Sequence, residues 1–404
     1  MNENRKSGSA YEVLLVCDLR QPTRILDVYR FFKEPPRIVL IRRGKQIPTD
    51  PRLSVKTQQV PLPMISLEGQ HIVSAFLSAA LYLVYSLISY YKVRGQDSNV
   101  RLVHAHFIFP QGLFGLLLAR FLRVPLIVTA VGSDVNVLMR SSALFRTACR
   151  FVTKQADLTI AVSRPMQRQL CQFGVANSIY LPNSVDTSSI RPITSPSQLG
   201  ARRTILFVGN LVAGKRPILL IRAFERVLAK VPGTILMMVG DGPLKDPVRE
   251  QVLQRGLAAN VRFFPRVPPQ SVIQMLVRAS VFVLPSVREG LSLALLEAMA
   301  SGKVIVASAN ESHREILRNG SDALLFHPDN EEELAEQLIS SLTNDRLRSK
   351  LSQSARQLCL REFSNTAIGE KLEGIYLKTT LKRGDGRSES SRASALRVGN
   401  CSLN

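Results

Sequence analysis

The sequence is short of acidic residues and of cysteine, and each shortage excludes a class of protein. Its 404 residues hold 31 Asp and Glu against 53 Lys and Arg, a net charge of +22. So basic a balance calls for an anionic partner: nucleic acid, an acidic membrane surface or a phosphorylated substrate. The excess leans toward residues 1–198, with 24 basic and 11 acidic side chains against 29 and 20 in residues 199–404. The five cysteines, Cys17, Cys149, Cys171, Cys359 and Cys401, lie far apart without a C-x-x-C pair. That excludes a cysteine zinc cluster and argues against a disulfide framework, as suits a reducing cytosol. The apolar run near the N-terminus is only Val13–Cys17, shorter than the core of a signal peptide. Zinc-finger spacing, an RNP-like aromatic phrase and a Lys/Arg-rich block are all missing, which leaves charge alone to suggest nucleic acid. No Asp-x-Asp triplet stands at a strand end, so no divalent metal is required.

What is present is 45% hydrophobic sequence in a repeating phrase, long enough for two or three domains. Short apolar or β-branched runs predict strands at Glu12–Cys17, Arg37–Ile41, Val100–His104, Leu126–Thr129, Leu158–Ala161, Ile205–Val208, Ile235–Val239, Val281–Leu284 and Val304–Ala307. Helical patterns lie between them at Gln111–Leu122, Pro217–Lys230, Pro247–Arg255, Ser271–Ala279 and Leu293–Ala300. Continuously apolar strands alternating with helices indicate α/β architecture, parallel sheets covered on both faces. The strands are too many for one open sheet, so two doubly wound Rossmann-like domains are expected. The Ser/Thr/Pro-rich stretch Asp186–Arg203 reads as the linker and places an active site in the cleft between the two sheets. The expected domains are 10–190 and 200–360. Helices at Glu331–Leu342 and Leu347–Lys378 close the second, with 361–380 a closing helix that stays there or crosses back to the first. Residues 381–404 form a basic tail expected to be disordered. Between Glu68 and Lys92 lie 23 uncharged residues, diluted by serines and tyrosines. They read first as a helix of the first domain, with a helix dipping into a membrane surface and a true span as alternatives.

The strongest chemical signal is Pro285-Ser286-Val287-Arg288-Glu289-Gly290-Leu291-Ser292-Leu293-Ala294-Leu295-Leu296-Glu297. A buried strand ends in a turn, and a helix starts near Ser292. Two glutamates eight positions apart would stand about 12 Å apart at helical rise, close to the ribose-to-sugar span of a sugar nucleotide. Leu291, Ser292 and Leu293 present backbone N–H groups at a helix N-terminus, suited to a diphosphate.

With its neighbours this segment resembles family 4 of the retaining glycosyltransferases, members resembling teichuronic-acid-type and exopolysaccharide enzymes included. The similarity runs over roughly residues 98–380 in ordered phrases: His104-Ala105-His106-Phe107-Ile108-Phe109-Pro110-Gln111-Gly112, Thr129–Asn136, Ala156–Ser163 and Leu181–Asp186. Phe207–Leu211 with Lys215, Val239–Leu244 and the paired glutamates come after them. The resemblance implies the GT-B fold, two facing Rossmann-like domains. It also implies roles. Gly209 and Asn210 belong to a phosphate-binding loop whose Lys215 neutralises the donor diphosphate. Glu297 holds the ribose, and Glu289 contacts the transferring sugar, with Gly290, Leu291 and Ser292 lending N–H groups. The backbone at Arg266 and Val267 reads the base. His106 touches donor or acceptor, unless it is simply a core histidine. Asp134 caps a helix starting at Val135 or orients an acceptor hydroxyl.

Three positions depart from the family pattern. Val131 stands where many members have His, Asn210 where many have a phosphate-binding Arg, and Cys17–Pro22 lacks the usual glycine-rich loop. The expected reaction is transfer of a hexose-type sugar from a nucleotide-diphosphate sugar to a hydroxyl of a glycan or lipid-linked acceptor. Configuration would be retained, the leaving diphosphate accepting the hydroxyl proton, with no metal or other cofactor. The expected setting is cytoplasmic cell-surface polysaccharide synthesis, peripheral on an anionic membrane surface, with no nucleic-acid partner. A catalytically degenerate GT-B protein acting as a partner subunit is the second reading. A sugar phosphorylase would want a lysine-bound pyridoxal phosphate and a longer chain.

Overall fold

The computed structural model describes residues 11–17, 26–43, 55–60, 84, 99–132, 134–192 and 203–385. The chain divides into two units: Met1–Pro182 with Ile368–Asn404, and Asn183–Ala367.

The first unit is built on seven strands: β1 (Glu12–Val16), β2 (Arg37–Arg43), β3 (Val55–Val60), β4 (Val100–His106), β5 (Leu126–Ala130), β6 (Leu158–Ala161) and β7 (Ser178–Tyr180). Their order is β3-β2-β1-β4-β5-β6-β7 with every pairing parallel. A parallel sheet is covered on both faces, so its central strands carry no polar alternation. All five residues of β1 and all five of β5 are buried. Helices α1 (Gln111–Leu122), α2 (Ala143–Gln155) and α3 (Arg164–Gln172) link the later strands. Ser142 and Ser163 cap α2 and α3, accepting hydrogen bonds from the N–H groups of Leu144 and Met166.

The second unit has six parallel strands: β8 (Thr204–Val208), β9 (Ile235–Val239), β10 (Val261–Phe264), β11 (Val281–Leu284), β12 (Val304–Ser308) and β13 (Leu324–Phe326). Their order is β10-β9-β8-β11-β12-β13. The helices are α4 (Pro217–Lys230), α5 (Lys245–Gln254), α6 (Pro269–Arg278), α7 (Leu293–Ala300), α8 (Glu311–Ile316), α9 (Glu331–Thr343) and α10 (Asp345–Glu362). In α4, proline at N1 opens the helix and Leu220, Ile221, Phe224 and Val227 form its buried stripe. Asn330 and Asn344 cap α9 and α10. Lys303 lies buried with Nζ donating to the carbonyl of Val277 (2.8 Å), closing the last turn of α6; burial pushes its pKa down to about 8.

Several expectations need correction. The single helix expected over Leu347–Lys378 is broken at Phe363–Ser364, and α11 (Asn365–Asp385) begins beyond the break. From Ile368 that helix belongs to the first unit, where Ile368, Leu372 and Tyr376 join the core of Leu15, Ile38 and Leu102. The first division falls at Pro182–Asn183, ahead of the Ser/Thr/Pro-rich stretch. The reason is local pairing: the N–H of Val185 donates to Phe363 (2.9 Å) and that of Asn365 to Val185 (3.0 Å). The expected disordered tail is helical to Asp385, and residues 386–404 lie outside the described residues. Residues 69–91 also lie outside them apart from Val84, as do residues 18–25 of the glycine-poor first loop. Among the described residues no helix is long and apolar enough to cross a membrane. Cys17, Cys149 and Cys359 are buried free thiols, whereas Cys171 is disulfide-bonded, against the reading that suited a reducing cytosol.

The C-terminal helix is fixed by a buried polar chain. The Tyr376 hydroxyl lies 2.7 Å from that of Tyr29 and 2.5 Å from Nδ1 of His104, whose Nε2 lies 2.7 Å from Oγ1 of Thr129. Replacing Tyr376 by Phe strands two buried partners at once. We expect it to lower unfolding free energy by about 1–3 kcal/mol in urea titration. An unchanged transition midpoint would show that the chain contributes nothing.

Candidate active site

In a parallel sheet all strands end at one edge, and ligands settle where the strand order reverses. In the second unit that point lies between β8 and β11. The loops there are Gly209–Arg216 and Pro285–Ser292, the two segments the sequence singled out. The Val287 N–H donates to the carbonyl of Gly214 (2.9 Å), tying them together. Across them Lys215 and Glu289 form an ion pair, both side chains mostly shielded from solvent.

Close packing shapes the floor of this rim. The loop after β9 lies directly on the loop after β8: Leu211 donates to Asp241 (2.9 Å) and Leu244 to Leu211 (2.9 Å). Gly240, at φ +147°, sits so close that a Cβ would come within 1.9 Å of the Gly209 carbonyl oxygen. No other residue fits there. The Gly240 N–H in turn donates to Phe264 (3.0 Å), bringing the loop of Arg266 and Val267 onto the same edge. Arg266 reaches back, its Nη2 donating to Oδ1 of Asn210 (3.0 Å).

Glu297 is buried on α7. Glu289 lies in the turn four residues ahead of that helix, so helical rise does not set the distance between the two carboxylates. Ser292 stands at the N-cap of α7 without a side-chain cap, leaving the first N–H groups of the helix to another acceptor. Gly290 and Leu291 are buried in the same turn.

Sequence reasoning missed the groups that hold this turn. The Ser312 hydroxyl donates to the carbonyl of Glu289 (2.8 Å), and Asn310 Nδ2 donates to that of Ser286 (2.9 Å). Ser308 also donates to Ser286. His313, buried, donates from Nδ1 to the Ser308 carbonyl (2.7 Å), and desolvation holds its pKa below the ordinary imidazole range. Asn183 Nδ2 donates to Leu291 from the other side (2.9 Å). The Pro-Asn phrase at 182–183 was the available signal for Asn183. The serine and asparagine clamp offered none.

In the first unit the reversal lies between β1 and β4. β4 extends two residues beyond its expected end, so His106 is the last residue of the strand. Its ring lies 4.4 Å, centroid to centroid, from that of His104, and its buried Nε2 has no hydrogen-bond partner among the described residues. Asp134 is fully engaged by backbone. Its carboxylate accepts from Gly132 (2.9 Å), Val135 (3.1 Å), Ile108 (3.2 Å) and Val131 (3.2 Å). That accounts for the acceptor sites of a carboxylate. Three of the four donors precede Asp134 in the chain, so it clamps the backbone ahead of the turn and does not form the expected cap of a helix starting at Val135. The segment it opens, Asp134–Leu138, is a five-residue π-helical turn. Among the described residues no cluster of His, Cys, Asp and Glu could hold a metal ion.

Two doubly wound parallel-sheet domains, the second with a Lys–Glu pair and a helix N-terminus at its reversal point, define the GT-B class. Known proteins agree. The description "Glycosyltransferase Family 4" matches residues 48–189 and "Glycosyl transferases group 1" matches residues 194–358. The chain belongs to glycosyltransferase family 4, and it is a glycosyltransferase of the GT-B type. It is 28% identical over 288 residues to an uncharacterized glycosyltransferase of Methanocaldococcus jannaschii, covering 70% of this chain and 77% of that one. To the putative teichuronic acid biosynthesis glycosyltransferase TuaC of Bacillus subtilis it is 29% identical over 252 residues, 60% and 62% of the two chains. Among solved structures, Anabaena HepE in complex with UDP and glucose superposes with a TM-score of 0.70 at 16% identity, over 91% of this chain and 100% of that one.

The two histidines of β4 give the first unit a pH signature. Desolvation pushes His106 from 6.5 down to about 4, and desolvation and then His106 hold His104 well below 6.5. The unfolded chain therefore binds these protons first. The stabilisation is complete above pH 6.5 and is lost as pH falls toward 4. Between pH 7 and 4, a His106→Phe variant should lose about 3 kcal/mol less unfolding free energy than the parent, measured by urea titration. Parallel losses would mean that His106 protonates freely in the folded state.

Proposed function

We propose that this glycosyltransferase moves a hexose-type sugar from a nucleotide-diphosphate sugar to a hydroxyl of a glycan or lipid-linked acceptor, with retention of configuration. The Lys215–Glu289 pair at the reversal point carries the reading. A diphosphate entering there takes over Lys215, whose charge then meets the negative charge that grows as the sugar leaves. Glu289, released from the lysine, accepts hydrogen bonds from the transferring sugar. The uncapped N–H groups at Leu291–Leu293 receive the phosphate oxygens, and the buried Glu297 receives the ribose hydroxyls. The backbone at Arg266 and Val267 lies along the base. His106, whose Nε2 at the end of β4 has no hydrogen-bond partner among the described residues, contacts a substrate hydroxyl in this reading.

No carboxylate nucleophile is needed. The leaving diphosphate remains on the face from which the acceptor hydroxyl attacks and takes its proton, so the protein supplies position and charge. Support for a sugar-nucleotide donor comes from HepE, solved with UDP and glucose; support for a cell-surface product comes from TuaC.

An anionic bilayer surface, the cytoplasmic face of the cell membrane, is the proposed setting for a lipid-linked acceptor. The exposed Leu117 and Phe121 of α1 and Leu144 and Phe151 of α2 support it. Arg120, Arg146, Arg150 and Lys154 lie among them, and neither helix has an acidic residue.

The partner-subunit reading draws on Val131 and on Asn210, which carries no charge. One experiment separates the two. Thermal shift across UDP-, GDP- and ADP-sugars should raise the melting temperature of the native chain with one of them, and Glu297→Ala should weaken that ligand at least about tenfold. Unchanged affinity in the variant favours the degenerate reading. Transfer by the native enzyme should survive EDTA; loss that Mg²⁺ or Mn²⁺ restores would overturn the metal-independent mechanism.

A further inference from the structure

Four cations stand after β8, β9 and β10 on the ligand edge of the second sheet: Lys215, Arg216, Lys245 and Arg266. Three of them are in ion pairs, with Glu289, Asp329 and Asp241 respectively. The fourth is not. The Arg266 guanidinium makes one hydrogen bond, to the side-chain oxygen of Asn210, and enters no ion pair among the described residues. The charged form of the neighbouring Asp241 is favoured first by the N–H of Gly242 and by Lys245, with only the smallest share from Arg266.

This contact changes what Asn210 does. Its amide oxygen is an acceptor, so toward a guanidinium Asn210 acts as an anchor. An arginine has five N–H donors in a planar fork, and one anchored Nη2 leaves the others for oxygens of a ligand. Asn210 directly follows Gly209 at the end of β8, in the loop that also carries Lys215. The anchored guanidinium therefore sits at the mouth of the phosphate loop although its Cα belongs to the loop after β10, 56 residues away in sequence.

We propose that the Arg266 side chain, held by Asn210, supplies the second positive charge for the donor diphosphate, beside Lys215. The assignment rests on the donor-binding reading of this edge and deepens it, giving this side chain a task separate from the base contact of its backbone. A diphosphate with a charge near −2 at neutral pH then meets two cations, one of them brought from a neighbouring loop.

The experiment is equilibrium binding of UDP and uridine, with GDP/guanosine and ADP/adenosine in parallel. It compares the full chain with Arg266→Ala, Asn210→Arg and the double variant. Arg266 is exposed, so its removal should leave the melting temperature close to the parent's. In Arg266→Ala the diphosphate should bind about tenfold or more weakly, while the nucleoside changes less than about twofold. In the double variant the arginine at 210 should restore diphosphate affinity to within about threefold of the parent. Equal weakening of nucleoside and diphosphate would overturn the proposal, since a base contact behaves that way, and so would failure of the double variant to recover. If the native chain binds none of the diphosphates, the donor reading itself falls and takes this assignment with it.

Discussion

All-parallel pairing is the constraint on which the rest of the structure depends. Six strands running one way deliver six loops to one edge, and the break in strand order opens a gap between the first and fourth of them. In the second unit those loops are Gly209–Arg216 and Pro285–Ser292. Their contents are therefore adjacent however far apart they lie in sequence. Lys215 meets Glu289 across 74 positions, and the Gly214 carbonyl receives the N–H of Val287. The central strands of such a sheet are covered on both faces and carry little that is polar, so chemistry gathers at these ends.

The electrostatics of the edge are those of a site at rest. A lysine and a glutamate facing each other neutralise a charge pair that would otherwise be costly in a mostly buried place. The same pairing makes the site responsive to an anion. In the proposed reaction a diphosphate would substitute for the carboxylate at Lys215 without leaving a buried charge uncompensated, provided Glu289 gained hydroxyl donors in exchange, and a sugar offers several. The ground beneath is stiff. Gly240 lies against the Gly209 carbonyl, and Ser312, Asn310 and Asn183 fix the carbonyls of the Glu289 turn. Rigid backbone around two exchangeable charges is what positioning chemistry needs.

The same division between apolar strands and polar ends governs what the sequence could disclose. Central strands such as Val281–Leu284 and Val304–Ala307 are unbroken apolar runs and were legible. Ser178–Tyr180 and Leu324–Phe326, three residues each at sheet edges, are too short to carry a period. Glu289 and Glu297 stood out as paired carboxylates beside a glycine turn, and Lys215 through the family resemblance; the ion pair that joins Lys215 to Glu289 could be seen only once the two loops were placed together. Ser308, Asn310 and Ser312 act on backbone carbonyls, and any polar residue in a loop looks alike. Asp134 was legible as a choice between capping a helix and orienting an acceptor hydroxyl, whereas the four N–H groups around it make it a clamp on the preceding backbone, which no motif announces. The Asn210–Arg266 contact could not be read at all, because neither residue's meaning changes until the two loops meet.

The C-terminal helix poses the same problem on a larger scale. Ile368, Leu372, Ile375 and Tyr376 recur at helical spacing, which predicts a buried stripe but not the sheet it covers. A stripe of aliphatic side chains could slide along an apolar surface at little cost. Three features forbid it here. Glu373 accepts from the N–H groups of Lys33 (3.1 Å) and Glu34 (3.0 Å), and the Tyr376 hydroxyl must fall between Tyr29 and His104. Gly369 lies so near the Val28 carbonyl that a Cβ would stand 3.0 Å from it. Shifting the helix by one turn would leave buried hydroxyls and an imidazole unpartnered, each costing about 1–3 kcal/mol, and would bring a side chain against backbone. The polar groups inside this core therefore select the register, and the apolar stripe supplies most of the attraction.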